Sequence, residues 1–270
     1  TEVRKEQFDK LSMRFKFDSI FYDSEFESLA NEIEICIDKI SIEEISSFSE
    51  TFTINKFQKP VFGGRIVVLT GGSTGEPKAV DRKPSLFHFL NPFFALLRDI
   101  HLDKYKSVYV ATPIYHGFGV ASAITAMALG ATLYLRKRFE TESASDFIEE
   151  NKIEIVTLVP LMLKRMLNHA PKKLSSVKAF LTGGAPLSPD IIKLCREKSG
   201  EKLFNLYGTS EAGFCVMAKP EDLKTSSVTI GRPVRGVKLK ILDKKNIPVK
   251  NGEVGRICVK FSWSVKKSDF

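Results

Sequence analysis

From Arg65 onward, short apolar runs rich in β-branched residues alternate with helical patterns, and this alternation constrains the fold more than any other feature. The runs are Arg65–Leu69, Ser107–Ala111, Ala131–Leu135, Ile153–Val159, Val177–Leu181 and Lys202–Leu206. Helical periodicity fills most of the intervals, at Leu86–Ile100, Val120–Leu129, Ser143–Asn151, Pro160–Asn168 and Pro189–Ser199. Ser188 is placed to cap the last of these helices, with Pro189 at its first position. Strands separated by helices of this length must cross over to pair, and crossovers make parallel neighbours. The expectation is an α/β fold, a largely parallel sheet flanked by helices. After Gly231 the texture changes. Val237–Asp243 and Glu253–Lys260 are strand-like and meet at a polar turn around Asn251-Gly252, predicting a small β-rich segment at the C-terminal end. Ahead of the alternation, Glu25–Lys39 is expected to form a helix, with less regular structure over Ser41–Asn55.

In an open α/β sheet, ligands sit outside the carboxyl ends of the strands. Four of the runs end there in chemically pointed sequences: Thr70–Lys78, Pro113–Gly117, Thr182–Pro186 and Asn205–Glu211. The first is the strongest. Thr70, Gly71, Gly72, Ser73, Thr74, Gly75 and Lys78 combine three glycines, hydroxyl donors and a cation. Backbone amides that close without side-chain obstruction, added hydroxyls and a lysine together suit a phosphate group. The order differs from the Walker-type loop, in which Gly-Lys-Ser/Thr runs into a helix, because here Lys78 follows Pro77 and no hydroxyl follows it. A glycine-rich surface turn is the plainer alternative for that loop taken alone. If the six runs are parallel neighbours, all four loops converge on one edge.

Composition limits the alternatives. The 270 residues suffice for one large domain or two modest ones, at ~100–200 residues each. With 43% hydrophobic and 27% charged residues, the chain can bury a sizeable core. Its 41 basic and 32 acidic residues give a net charge of +9, suited to a polyanionic ligand such as a nucleotide or coenzyme. The basic residues are spread along the chain, which argues against a nucleic-acid partner. Cys36, Cys195, Cys215 and Cys258 form no CxxC pair, so zinc and a disulfide framework are poorly supported and a reducing cytoplasm is the expected location. Gly117–Leu135 has no charged side chain and precedes Arg136-Lys137-Arg138. That suits a membrane span, but Gly119, Gly130 and the strand-like Thr132–Leu135 favour a buried helix followed by a buried strand.

Taken in order, the four loops resemble those of the adenylate-forming superfamily, which includes the AMP-forming acyl- and aryl-CoA synthetases. Thr70–Lys78 is similar to its phosphate signature, with Ala79 replacing the final glycine. Tyr207-Gly208-Thr209-Ser210-Glu211 is similar to its Tyr-Gly-x-Thr-Glu signature, with Ser210 for threonine. Thr157-Leu158-Val159-Pro160, Gly231-Arg232-Pro233 and Gly252-Glu253-Val254-Gly255 add support, so that the resemblance runs from about Ile66 to Lys260. It implies an enzyme that activates a small carboxylic acid with ATP and Mg²⁺ as an acyl-adenylate and passes the acyl group to CoA. By this likeness Thr70, Gly71, Gly72, Ser73, Thr74, Gly75 and Lys78 surround the β- and γ-phosphates, while Gly183, Gly184 and Ala185 lie against the adenine. Asn205 reads the amino edge of the base, and Leu206, Tyr207, Gly208 and Thr209 complete the nucleotide site, with Tyr207 stacked on the ring. Ser210 holds the α-phosphate and Glu211 ligates Mg²⁺. His116, Gly117 and Phe118 border the carboxylate and acyl pocket, and Lys78, His116, Ser210 and Glu211 are the implied catalytic set.

The resemblance divides the chain into a partial N-terminal α/β region at 1–62, a nucleotide-binding core at 63–233 and the start of a β subdomain at 234–270. The family's ribose-binding Thr-Gly-Asp has no counterpart, since the chain contains no Gly-Asp pair, and its mobile C-terminal domain lies outside these residues. Very slow adenylation by this chain alone is therefore expected, each lost contact costing about 2–4 kcal/mol. A non-catalytic nucleotide-binding or scaffolding module is the alternative from another class. An amino-acid-activating domain is disfavoured, because Gly117-Phe118-Gly119-Val120 offers no acid to pair an ammonium group. Oligomeric state is open, with a homodimer through exposed apolar edges compatible with the chain.

Overall fold

A computed structural model describes residues 19–32, 38–41, 66–71, 77–82, 86–114, 116–209 and 213–261. The chain divides into two compact units, Thr1–Gly63 and Gly64–Phe270. In the first, β1 (Ser19–Tyr22) pairs in parallel with β2 (Asp38–Ser41), and a short helix α1 (Glu27–Asn31) lies between them in sequence. Within the expected helix over Glu25–Lys39, Glu27–Asn31 is helical and Asp38–Lys39 belongs to β2, while 33–37 lies outside the described residues. Apart from Ser41, the stretch Ser41–Asn55 lies outside the described residues.

The second unit is built on a seven-stranded sheet in the order β11-β10-β9-β8-β7-β5-β6. Its parallel strands are β5 (Ser107–Val110), β6 (Thr132–Leu135), β7 (Ile155–Leu158), β8 (Ala179–Gly183) and β9 (Leu203–Thr209). β10 (Gly213–Ala218) turns back antiparallel to β9, and the two-residue β11 (Arg232–Pro233) closes that edge. Every residue of β5, β7 and β8 is buried. Runs so largely apolar are what a strand covered on both faces requires.

Helix α3 (Gly117–Ala128) carries the chain from β5 out to β6, and α4 (Thr141–Glu150) then returns it across β5 to β7. Helices α5 (Pro160–His169) and α6 (Pro189–Ser199) continue in that direction to β8 and β9. Because parallel crossovers are right-handed, reversing direction moves the helices to the opposite face. The core divides accordingly. Ile148, Leu163, Met166, Leu167, Ile192 and Cys195 of α4, α5 and α6 pack on Tyr109, Val156, Leu158 and Phe180. On the other face, Ala126 of α3, with Ala95 and Ile100 of α2 (Leu86–Ile100), packs on Val108, Val110, Ile155, Ala179 and Leu181. The reversal leaves a topological switch between β5 and β7.

Three sequence expectations meet their outcome here. Gly117–Leu135 resolves into α3 and β6, and among the described residues no helix is long and apolar enough to cross a membrane. The C-terminal β segment is an antiparallel pair, β12 (Val237–Leu242) with β13 (Arg256–Phe261), packed through Val237, Leu239, Val259 and Phe261 on the α2/α3 side of the core. The run Arg65–Leu69, by contrast, does not join the parallel sheet. β3 (Ile66–Gly71) instead forms an antiparallel hairpin with β4 (Pro77–Arg82), in which Thr70 faces Lys78. Five intervening residues can close a hairpin, whereas a parallel partner needs a crossover of a dozen or more.

One ion-pair network links the end of α2 to the residue ahead of α7 (Pro220–Thr225): Asp99 receives Arg98 Nη2 at 2.8 Å and Lys219 Nζ at 3.0 Å, and its side chain is only 9% exposed. The Arg98 hydrogen bond, assisted by Lys219, holds the Asp99 carboxyl below its ordinary range against the cost of desolvation. A carboxyl depressed in the folded state stabilises the fold above its unfolded pKa and loses that contribution as pH falls through the folded value. The thermal midpoint is therefore expected to drop as pH is lowered below about 4, and Asp99→Asn to start lower at neutral pH and flatten that acid limb. An unchanged acid limb in Asp99→Asn would assign the effect elsewhere.

Candidate functional site

Parallel pairing of β5, β7, β8 and β9 places their carboxyl ends on one edge. At about 4.8 Å per strand gap, β5 and β9 stand about 14 Å apart there, a span that admits a mononucleotide. Three of the four loops singled out in the sequence leave this edge, Pro113–Gly117, Thr182–Pro186 and Asn205–Glu211, of which Tyr115, Ser210 and Glu211 lie outside the described residues.

The loops touch. A Cβ added to Gly183 would lie 2.8 Å from the Leu206 carbonyl oxygen and 3.5 Å from the Phe118 ring, so β8, β9 and the start of α3 meet at that residue. Gly183 is buried, whereas Gly184 and Ala185 are exposed, leaving a flat backbone ledge at the end of β8. Asn205 lies behind the ledge and is 7% exposed. Thr182 Oγ1 lies 3.0 Å from the Phe204 carbonyl oxygen, to which it donates, and 3.4 Å from Asn205 Oδ1. Its single proton serves the Phe204 carbonyl, so Thr182 ties β8 to β9 beside Asn205, a role that had no signal in the sequence beyond adjacency to Gly183.

The β9–β10 hairpin forms the far wall. Gly208 is obligatory, since a Cβ there would fall 2.1 Å from the Gly213 carbonyl oxygen. A bulge at Cys215 shifts the register between Phe214 and Val216, opposite Gly208 and Tyr207. The Cys215 thiol, which burial pushes up to about 11, donates to the Tyr207 carbonyl at 3.5 Å. Tyr207 and Leu206 are half-buried against the α2/α3 core, and Gly208 and Thr209 are exposed. On the near side, His116 is extended and exposed, and its carbonyl accepts from Val120 N at 3.0 Å to open α3. Gly117 is exposed beside it and Phe118 turns inward to Gly183. The first-turn amides of α3 thus lie at the carboxyl edge of β5, where a helix terminus favours negative charge.

The structure therefore brings together His116, Gly117, Phe118, Gly183, Gly184, Ala185, Asn205, Leu206, Tyr207, Gly208 and Thr209. Thr70, Gly71 and Lys78 lie on the separate β3–β4 hairpin, and among the described residues those two strands pair only with each other. Gly72, Ser73, Thr74, Gly75, Ser210 and Glu211 lie outside the described residues.

Residues 64–266 match the family model described as AMP-binding enzyme, which covers well over half of the chain. The chain belongs to this family. Among curated relatives, it is 24% identical over 239 residues to a 2-succinylbenzoate–CoA ligase of Enterococcus faecalis, covering 86% of this chain and 49% of that protein. It spans half or less of the length of the curated relatives it matches. Solved structures share the fold. The o-succinylbenzoate CoA synthetase of Bacillus subtilis superposes with a TM-score of 0.82 in its complex with an acyl-adenylate intermediate, at 21% identity over 96% of this chain and 52% of that one. Its complex with ATP and magnesium gives 0.80, at 21% identity over 97% of this chain and 54% of that one. An amide bond synthetase from Marinactinospora thermotolerans gives 0.79, at 23% identity over 96% and 54% of the two chains.

Because the Leu206 carbonyl occupies the space a side chain at 183 would need, Gly183→Ala must spread the β8–β9 ladder. A loss of about 1–3 kcal/mol in urea unfolding is expected, while Ala185→Ser on the exposed ledge changes stability by less than about 0.5 kcal/mol. Equal effects of the two would refute the close approach.

Proposed function

We propose that the protein carrying this chain is an AMP-forming acid–thiol ligase that activates an organic carboxylate with ATP and passes the acyl group to CoA. The observation that carries this reading is the buried Asn205 side chain, beside Thr182 and behind the glycine ledge at the carboxyl edge of a sheet whose family is AMP-binding. An amide fixed in that place can distinguish the amino edge of adenine, and the unobstructed ledge lets the flat base lie against backbone. Tyr207 offers a stacking face from the adjoining strand.

The chemistry needs charge to be spread during displacement at phosphorus. A carboxylate oxygen attacks the α-phosphorus, the bond to pyrophosphate breaks, and a mixed acyl–AMP anhydride forms; the thiol then attacks the acyl carbon and AMP departs. Positioned donors and cations supply most of the stabilisation in such a displacement. In this reading Thr70, Ser73, Thr74, Gly75 and Lys78 take the β- and γ-phosphates, Ser210 the α-phosphate, and His116 stands beside the incoming carboxylate. In the same reading Glu211 supplies the carboxylate for a magnesium ion that would also rest on phosphate oxygens. Bound magnesium supplies neutralisation of the phosphate charge. Cys195 and Cys215 are buried free thiols, consistent with placement in a reducing cytoplasm.

Acid-dependent exchange of labelled pyrophosphate into ATP tests the reading. In the full-length protein that carries this chain, exchange is expected with at least one acid of a broad panel, abolished by EDTA, and lowered about 10²–10³-fold by Lys78→Ala. No exchange with any acid, or an undiminished rate in Lys78→Ala, would overturn it.

A further inference from the structure

Seven polar residues are buried among the described residues: Ser107, Thr112, Thr125, Ser145, Thr157, Thr182 and Asn205. Four of their six hydroxyls are satisfied. Ser107 Oγ accepts from Glu154 N at 3.0 Å, Thr125 Oγ1 donates to the Ala121 carbonyl at 2.7 Å, Ser145 Oγ donates to the Thr141 carbonyl at 2.8 Å, and Thr182 is paired as described. Thr112 and Thr157 are different. They are 5% and 1% exposed, and neither hydroxyl has a hydrogen-bond partner among the described residues. A buried unpaired hydroxyl opposes folding, and two of them at one place call for an explanation in function.

Their place is the topological switch. Thr157 of β7 is registered against Val110 of β5, and its carbonyl accepts from Ala111 N at 2.9 Å, so its backbone is satisfied while its hydroxyl is not. Val108, Val110 and Ile155 point into the core on the α2/α3 face. Strand alternation puts Thr157 on that face, and Thr112 follows two residues beyond Val110, just past the end of β5. Above them α3 turns small buried residues inward, Gly119, Ala123 and Ala126, and Phe118 closes over Gly183. The buried residues that α3 sets against this face are therefore small, and the only polar one among those described, Thr125, already has its hydroxyl paired. No charged side chain is buried among the described residues, so a charged guest group there would lack a counter-charge.

Resting on the adenylation reading, we propose that the cognate acid carries a neutral oxygen substituent, a hydroxyl or carbonyl remote from its reacting carboxyl, and that Thr112 and Thr157 hydrogen-bond it. The acid enters from the His116 edge with its carboxyl outward and its substituent against the β5–β7 switch. An all-hydrocarbon acid of the same shape leaves both hydroxyls unpaired and binds more weakly. A site built to hydrogen-bond a substrate oxygen discriminates strongly against the analogue that lacks it.

The test is direct binding of matched acids to the full chain by calorimetry, separate from any turnover assay. Para-hydroxyphenylacetate is compared with para-tolylacetate, and straight-chain oxo-acids of graded length with the alkanoates that replace the carbonyl by methylene. At least one pair is expected to favour the oxygen-bearing member by about tenfold or more. That preference should collapse in Thr157→Val and Thr112→Val and survive in Thr157→Ser. Without ligand, Thr157→Val should raise the thermal midpoint by about 2–4 °C, because an unpaired buried hydroxyl is removed. Equal or better binding of every hydrocarbon member, a preference that persists in both valine variants, or a fall in the midpoint showing that the hydroxyl is paired within the fold would each overturn the proposal. Pyrophosphate exchange run beside it reports on the adenylation reading alone: a binding preference without exchange sinks that reading and leaves the threonine assignment standing.

Discussion

The parallel ladder β5-β7-β8-β9 is the constraint on which the rest of the second unit depends. Hydrogen bonds between these strands fix their direction, and direction alone determines that their carboxyl ends share an edge. Burial on both faces by two separate helix layers makes a register slip costly, because sliding a strand by one residue would exchange its two sets of core contacts. The loops at the edge are thus held by a sheet that has no inexpensive alternative arrangement. Asn205 behind the ledge, Phe118 over Gly183 and Gly208 against Gly213 are consequences of that alignment rather than independent inventions.

The sheet also explains why polar groups at its carboxyl edge can carry function. Thr182 lies within a strand buried on every residue, yet its hydroxyl has the Phe204 carbonyl and the Asn205 amide within reach. Thr112 and Thr157 sit where the strand order reverses, and there the neighbouring helix offers small apolar side chains instead of acceptors. Satisfied threonines position; unsatisfied ones select. The same physical rule, that a buried hydroxyl must find a partner, gives these residues opposite assignments according to what lies opposite them.

Much of this architecture was legible in the residues. Leu86–Ile100 and Pro189–Ser199 form helices with the expected bounds, since Pro189 starts one and the amphipathic pattern is strong in both. Strand positions were right but bounds moved by one to three residues: β8 begins at Ala179 rather than Val177, and β9 extends to Thr209 because it continues into the hairpin with β10. The misplacement of Arg65–Leu69 has a definite cause. An apolar run of that length suits a parallel strand or a hairpin arm equally well, and only its pairing with Pro77–Arg82 decides. Glu25–Lys39 failed differently: the helix described there is Glu27–Asn31, and Asp38 already pairs in β2. At the site, the glycine and aromatic motifs announced His116, Gly183 and Tyr207, whereas Thr182, Thr112 and Thr157 depend on cross-strand register, which no local pattern encodes.

Hydrogen–deuterium exchange with and without AMP tests most directly whether this edge is a mononucleotide site. Protection is expected in the segments around 113–119, 183–187 and 206–214, with the β12–β13 pair unchanged. Saturating AMP that leaves all three segments unprotected, or that protects β12–β13 in their place, would contradict the placement of the nucleotide at the carboxyl edge.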